Sequence, residues 1–201
     1  ASAPFIEAQA LLLAGANNSG AIVTGVQPDL ESKVTSITQK MAGGSFEQLT
    51  DGSYGIVLGT ELANALGVKL GERVVLVTPL RTTTPAGVMP RMRSFKVVGI
   101  FNAGMYEFDR NLAYINLSDA AKLYRMGEQV TGLRLKLEDL FEAPTLVREL
   151  ALSLGGGYYI DDWTRKHANF FRSIQLTKSA LFLILLLVVA VAAFNIVSTL
   201  V

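Results

Sequence analysis

Few side chains in this sequence are arranged so that they could carry out covalent chemistry. The 201 residues include one histidine, His167, and no cysteine. A zinc site built from several histidines and cysteines is therefore excluded, and so is a thiol nucleophile. Asp161 and Asp162 could act as an acid–base pair, but two acids that open a helical pattern are explained more simply as helix caps. We therefore predict no catalytic residue, no metal site and no cofactor.

The glycine-rich stretches do not form a nucleotide site. Residues 15–20, 43–44 and 155–157 lack the lysine and hydroxyl that hold nucleotide phosphate and magnesium in a phosphate-binding loop. Any ATP hydrolysis must then take place on another chain. The formal net charge of +1 gives no argument for binding nucleic acid.

A proline-containing segment at residues 79–93 is the part of the sequence best suited to a function. A connection of this length without predicted structure of its own is commonly functional or disordered. Its prolines limit flexibility, its threonines favour an extended arm, and Pro85, Ala86 and Gly87 would make a turn at the tip. We predict a stiff arm that projects from the strands on either side.

The charges around this arm indicate the kind of partner it would meet. No acidic residue lies between Glu72 and Glu107, whereas five cations do: Arg73, Arg81, Arg91, Arg93 and Lys96. An apolar tip above a cationic base fits a protein with an apolar groove and an acidic rim. The alternative is a solvated hairpin with ordinary surface arginines.

The elements that must position the arm alternate between strand-like and helix-like patterns, which predicts an α+β fold. Helices are predicted at residues 28–41 and 144–154, after an N-cap at Thr60 with a stop at Gly67, and after a cap at Ser118. Strands are predicted at residues 7–13, 21–26, 56–58, 74–77, 95–101, 112–115, 132–137 and 158–160.

The middle of the chain is mostly β, so the pieces on either side are interpreted as two halves of one α/β unit. We place the halves at residues 1–48 and 129–160 and the β-rich insertion, which carries the arm, at residues 49–128. A connecting amphipathic helix is predicted at residues 161–178, where Trp163, Phe170 and Ile174 share one stripe. A helix without proline or glycine from there to Val201 could transmit motion as a rigid body.

The last part of the sequence, residues 179–201, contains no charged residue. Roughly 20 apolar residues cross a hydrocarbon core of about 30 Å, so we predict a transmembrane helix, with a buried core helix as the alternative. The composition agrees, since 50% of the residues are hydrophobic and the mean hydropathy is +0.37. Because the chain stops inside this segment, we interpret it as a fragment of a longer membrane protein.

Four blocks of sequence carry a resemblance to a known family. The blocks are GIVLGTELANALGVKLGERV, TGLRLKL, DDWTRKHANFFRSIQLTK and LLLVVAVAAFNIVSTL. They resemble the LolC/LolE family of lipoprotein-releasing ABC transporter permease subunits, within the larger MacB and FtsX class. The resemblance implies a MacB-like periplasmic domain whose two α/β halves are called Porter and whose β-rich insertion is called Sabre, followed by a transmembrane helix.

The same resemblance implies a function and a set of partners. Such a permease subunit releases outer-membrane lipoproteins from the bacterial inner membrane and passes them to the periplasmic carrier LolA. The implied partners are LolA, the cytoplasmic ATPase LolD, a second permease subunit (LolE or a second copy) and the lipoprotein substrate. Residues 1–177 would lie in the periplasm of a Gram-negative cell.

Site residues follow from the resemblance position by position. A hairpin called the Hook, which enters the carrier's groove, would be Thr84, Pro85, Ala86, Gly87, Val88, Met89 and Pro90. A supporting patch called the Pad would include Arg93, with Arg81 and Met92 as further members, although Met92 stands where the family pattern is polar. A transmission helix would carry Trp163, Phe170, Phe171 and Ile174. A Hook favours the LolC type, or the hybrid LolF type, over LolE.

Two other functions remain open at this point. A MacB-type or FtsX-type subunit would use the same fold for mechanotransmission with another cargo or to regulate cell-wall hydrolases. A membrane-anchored periplasmic enzyme would need a pocket in which titratable groups converge.

Overall fold

The computed structural model describes residues 1–84, 87–166 and 168–200. They divide into two compact units, Ala1–Lys136 and Leu137–Val201. Both helices and strands are present, so the predicted α+β class is confirmed. The parts predicted at residues 1–48, 49–128 and 129–160 do not coincide with these units and stay predictions.

The first unit contains eight strands and four α-helices among the described residues. The strands are β1 (Ser2–Ala14), β2 (Asn17–Val26), β3 (Met41–Gly44), β4 (Gly55–Gly59), β5 (Arg73–Thr84), β6 (Gly87–Phe101), β7 (Leu112–Asn116) and β8 (Gly132–Leu135). The helices are α1 (Pro28–Val34), α2 (Thr60–Leu66), α3 (Tyr106–Asn111) and α4 (Leu117–Tyr124).

The strands form one sheet whose order, β2-β7-β4-β6-β5-β1, closes on itself because β1 pairs with β2 as well as with β5. The β2–β7 and β4–β6 pairs are parallel, and the other pairs of this ring are antiparallel. Outside the ring, β3 pairs with β6, and β8 pairs with the start of β1 from Ser2↔Leu135 to Phe5↔Gly132. Closure leaves few unpaired edges in this part of the sheet.

Alternation along the strands divides the apolar residues between two clusters. Ile56 and Leu58 of β4 pack with α2 and α4 in the larger cluster, while Val57 between them faces the smaller cluster with Phe101 and Tyr114. Because the two clusters lie on opposite faces of β4, both faces are buried, which explains its uninterrupted apolar sequence. Burial in the smaller cluster raises the pKa of the Tyr114 hydroxyl to about 12.

A partly buried ion pair joins α1 to β8. Glu31 is fully buried, and its Oε1 accepts a hydrogen bond from Nη1 of Arg134, which also lies over the Phe5 ring with Cζ 5.1 Å from the centroid. Desolvation raises the pKa of Glu31, and the Arg134 charge partly opposes the shift. The ion pair connects β8 to α1, and the contact with Phe5 connects it to β1.

Several predicted boundaries were wrong, for local and tertiary reasons. The first helix was predicted to reach residue 41, but α1 ends at Val34, where the Thr35 hydroxyl donates to the Glu31 carbonyl. Met41 pairs with Phe101 of β6 instead, because strand pairing overrides helical spacing. The N-caps are Gly59 and Asn116, one and two residues before the predicted Thr60 and Ser118. The predicted stop at Gly67 is confirmed by its left-handed φ of 67°.

The second unit contains α5 (Ala143–Ser153), α6 (Trp163–Lys166) and α7 (Ala168–Leu200). Asp162 caps α6, since its Oδ1 accepts from the Thr164 amide at 2.7 Å, and the hydrogen bond from the Thr164 hydroxyl lowers the Asp162 pKa. The strand predicted at residues 158–160 is wrong, because these residues follow three glycines with positive φ and pair with no described strand.

Among the residues that the structure describes, one helix is long and apolar enough to cross a membrane: Arg172–Ala193 within α7, with a mean hydropathy of 2.5. Phe170, Phe171 and Ile174 lie in α7, and the Trp163 indole N–H donates to the Leu140 carbonyl at 2.9 Å. The predicted continuous helix from Trp163 includes His167 and Val201, which lie outside the described residues.

Candidate functional site

The segment at residues 79–93 lies within a long antiparallel hairpin formed by β5 and β6. Cross-strand pairs run from Arg73↔Lys96 to Thr84↔Gly87. The predicted strands at residues 74–77 and 95–101 were therefore too short, since both continue through the segment expected to be a loop. Two-stranded ribbons with polar residues on both faces give little hydrophobic periodicity, which is the signal for a strand.

Over most of the described hairpin, the two strands form backbone pairs only with each other. In the part of the chain that the structure describes, β5 pairs with β1 at Val75, Leu76 and Val77, and β6 begins to pair with β4 at Lys96. Between Val77 and Thr84 on β5, the described pairs join β5 to β6 alone. The register shifts between Thr78 and Arg81, where Pro79 has no N–H to donate to the ladder.

The predicted Hook residues lie at the end of this ribbon. Thr84, Gly87, Val88 and Met89 are described as strand backbone, and Pro90 is exposed. Pro85 and Ala86, the predicted tip, lie outside the described residues. Of the predicted Pad residues, Arg81 is described as backbone paired with Pro90, and Met92 is 59% exposed.

Two arginines of β6 attach the base of the ribbon to the rest of the first unit. Nη1 of Arg91 donates to the carbonyl of Leu123 in α4 at 2.9 Å. Arg93 places its Cζ 4.2 Å from the centroid of the Tyr54 ring, within the range of a cation–π contact. The Tyr54 ring in turn meets the buried Phe95 ring edge-on, with centroids 5.6 Å apart.

Tyr54 is held by a buried carboxylate. The Asp119 side chain is fully buried; its Oδ1 accepts from the Gly52 amide at 3.0 Å and its Oδ2 from the Tyr54 amide at 3.1 Å. A neighbouring surface pair, Lys122 Nζ to Asp51 Oδ1 at 2.7 Å, joins the same loop to α4 and raises the Lys122 pKa through that hydrogen bond. The loop at residues 51–54 is thus fixed from one side by α4.

Tyr54 and Arg93 lie in the wall of a cationic concavity of about 550 Å³ at the base of the hairpin. Three of its seven described lining residues, Arg73, Arg93 and Lys96, are cationic and none is acidic; the others are Ser53, Tyr54, Met92 and Ser94. The cations are among those predicted from the sequence, whereas Tyr54 is not. The only local signal was an aromatic residue at the end of a polar turn.

A second cavity, of about 560 Å³, adjoins the hairpin at Val77, Thr78 and Pro79. Its other walls come from β1, β2 and Asn111, and its described lining is mostly apolar. The hydroxyl of Thr78 is buried and finds no hydrogen-bond partner among the described residues. Neither cavity brings an acid and a base together at its described lining, so the geometry offers binding surfaces of two kinds, one cationic and one apolar.

The fold and the chain's relatives define the class of protein. Residues 1–151 match the MacB-like periplasmic core domain, so the chain belongs to that family. A solved structure with the same fold is the extracellular domain of the noncanonic ABC-type transporter YknZ from Gram-positive bacteria, with a TM-score of 0.50 and 10% identity over 77% of this chain and 75% of that one. The predicted MacB-like fold is confirmed.

The curated relatives are more specific. The chain is 44% identical to the lipoprotein-releasing system transmembrane protein LolC of Xylella fastidiosa (strain 9a5c), over 98% of this chain and 48% of the relative. It is 43% identical to LolC of Neisseria meningitidis serogroup B, over 100% and 49%, and 32% identical to LolE of Haemophilus influenzae, over 98% and 47%. The predicted resemblance to LolC and LolE is confirmed, and the chain spans about half the length of these relatives.

Proposed function

We propose that this chain is the periplasmic domain and adjoining membrane helix of a permease subunit that releases outer-membrane lipoproteins from the bacterial inner membrane and passes them to LolA. The observation that carries the proposal is the β5–β6 ribbon. It extends beyond the pairs that β5 makes with β1, and it has a cationic concavity at its base. The names of its relatives support the same function.

In this proposal the ribbon is the Hook, with Thr84 to Pro90 at its end. The tip residues Pro85, Ala86, Val88 and Met89 carry no charge, so they suit an apolar groove in the carrier. Arg93 and the neighbouring cations would meet carboxylates at the rim of that groove, with Arg81 and Met92 as further Pad positions. Apolar insertion would supply affinity, and the charges would supply orientation and speed of association.

The remaining partners follow from the same proposal. The cytoplasmic ATPase LolD would hydrolyse ATP, and a second permease subunit, LolE or a second copy of this chain, would complete the membrane assembly. The helix region with Trp163, Phe170, Phe171 and Ile174 would transmit movement between the membrane and the domain outside it. Residues 1–177 would then lie in the periplasm.

The test is retention of LolA by the membrane-inserted protein in nanodiscs. We expect Pro85→Glu to weaken binding because it places a charge in an apolar groove, and Arg93→Glu to weaken it by repelling the acidic rim. Arg148→Glu, at an exposed arginine of α5, makes the same charge change elsewhere and should bind like the wild type. Equal retention by all four proteins would remove the Hook assignment and favour a MacB-type or FtsX-type subunit with another cargo.

A further inference from the structure

The guanidinium of Arg93 stands out among the cations at the hairpin base because an aromatic ring supports it. Its Cζ lies 4.2 Å from the centroid of the Tyr54 ring. A guanidinium over a ring still has its N–H donors free around the edge of its plane, where a carboxylate can accept two of them side by side. The contact therefore orients Arg93 without using its hydrogen-bonding groups.

Tyr54 is itself held in an uncommon conformation. Its φ is +50°, a left-handed value that side-chain-bearing residues adopt infrequently. Two contacts maintain it: the amide donates to Oδ2 of the fully buried Asp119, and the ring packs edge-on against the fully buried Phe95. A residue held from both its backbone and its ring presents a fixed surface to Arg93.

Both arginine attachments of the ribbon lead to the same helix. Arg91 donates to the carbonyl of Leu123, and Arg93 rests on Tyr54, which is bound to Asp119; Leu123 and Asp119 both belong to α4. The helix is closely packed on the ring, since a Cβ built on Gly25 of β2 would lie 2.3 Å from the Ala120 Cβ. The base of the ribbon is thus attached to the ring of strands through α4.

We infer that Tyr54 is a positioning residue of the docking surface: it holds the Arg93 guanidinium so that its N–H edge faces a carboxylate of the partner, and Asp119 fixes Tyr54. The inference rests on the proposed function for the identity of the partner, but the chemistry it names is that of any protein with exposed Glu or Asp side chains. Tyr54 needs no contact with the partner to act in this way.

The first experiment is a double-mutant cycle on LolA binding with the membrane-inserted protein in nanodiscs. Tyr54→Asn removes the ring and keeps a residue that tolerates a positive φ, and Tyr54→Phe keeps the ring as the matched control. We expect Tyr54→Asn to weaken binding about fivefold and Tyr54→Phe to change it less than twofold. In an Arg93→Ala background, Tyr54→Asn should have no further effect. Additive losses, or no loss in Tyr54→Asn, would overturn the inference.

The second experiment reads the position of Arg93 without the carrier. Ring current from Tyr54 should shift the NMR signals of the Arg93 side chain upfield, and hexaglutamate, with hexaglutamine as control, should perturb them further. Both effects should be lost in Tyr54→Asn and kept in Tyr54→Phe. Unshifted Arg93 signals in the wild type would contradict the inference.

The two experiments separate the inference from the proposed function. If LolA does not bind but hexaglutamate perturbs Arg93 in a Tyr54-dependent way, the carrier assignment fails and the positioning role stands. If LolA binding depends on Arg93 and not on Tyr54, the positioning role fails and the carrier assignment stands.

Discussion

The ring of strands and the ribbon that extends from it use charge in opposite ways. In the helices packed on the ring, carboxylates are buried and bound: Asp119 accepts from two loop amides, Asp109 accepts from the amides of Ala103 and Gly104, and Glu31 pairs with Arg134 of β8. At the ribbon base the charges are cationic, and they line an open concavity. The contrast teaches that the buried carboxylates stabilise the fold, whereas the cations at the ribbon base remain available to a partner.

Core packing should show the largest difference between the two regions. Leu58 is fully buried in β4, so Leu58→Ala should lower the free energy of unfolding by about 2–5 kcal/mol through lost burial and a residual cavity. Met92 at the ribbon base is 59% exposed, and Met92→Ala should change it by less than about 0.5 kcal/mol. Denaturant unfolding followed by circular dichroism measures both. Similar losses would mean that the ribbon base is part of the folding core.

Removing Arg134 tests the buried charge of Glu31 and should depend on pH. The folded-state pKa of Glu31 is raised, so its contribution to stability is greatest below the ordinary glutamate pKa of 4.5 and falls as pH rises through the folded-state pKa. Arg134→Met removes the charge and the hydrogen bond that oppose desolvation most strongly, so it should raise this pKa further. We expect a loss of about 2–3 kcal/mol at pH 7.5 and a smaller one at pH 4.5.

The control for that prediction is Arg134→Met combined with Glu31→Gln. A neutral side chain at position 31 has no proton to gain, so the difference between the two pH values should disappear. Unfolding free energies that show the same pH dependence in the single and the double variant would assign the effect to another group.

A smaller effect should join the two regions. Asp119→Asn keeps the side-chain shape but turns one acceptor of a loop amide into a donor, which should cost about 1–2 kcal/mol of stability. Hydrogen exchange should then speed up at the Gly52 and Tyr54 amides, with Leu123 and the rest of α4 unchanged. Protection equal to the wild type at both amides would show that Asp119 does not hold this loop.

Short-range patterns in the sequence predicted much of the ring. The apolar run at residues 56–58, the stop at Gly67 and the pattern at residues 21–26 each depend on neighbours along the chain, and each element was found, with the strands extended at their ends. The short helix α3 and strand β3 were missed. Four residues with two glycines give no period, and β3 exists because β6 offers a partner edge.

The candidate site divides in the same way. Its cations and prolines could be predicted from the sequence, because they lie in one continuous stretch of chain that contains no acidic residue. The support under Arg93 could not, because it joins Tyr54 and Phe95 to Asp119 of α4 across long separations. Closure of the ring could not be predicted from the sequence either, since the pairing of β1 with β5 depends on how both strands twist.

The pairing of β1 with β8 has a mechanical consequence. Ser2 lies opposite Leu135, and the Lys136 amide donates to the Ala1 carbonyl, so the first and last residues of the unit meet at one end of an antiparallel ladder. A pull that separates these ends would load the rungs one at a time, as in opening a zipper, and not all together in shear. Arg134 belongs to the residue pair next to that end, so its ion pair with Glu31 would resist the first steps of this separation.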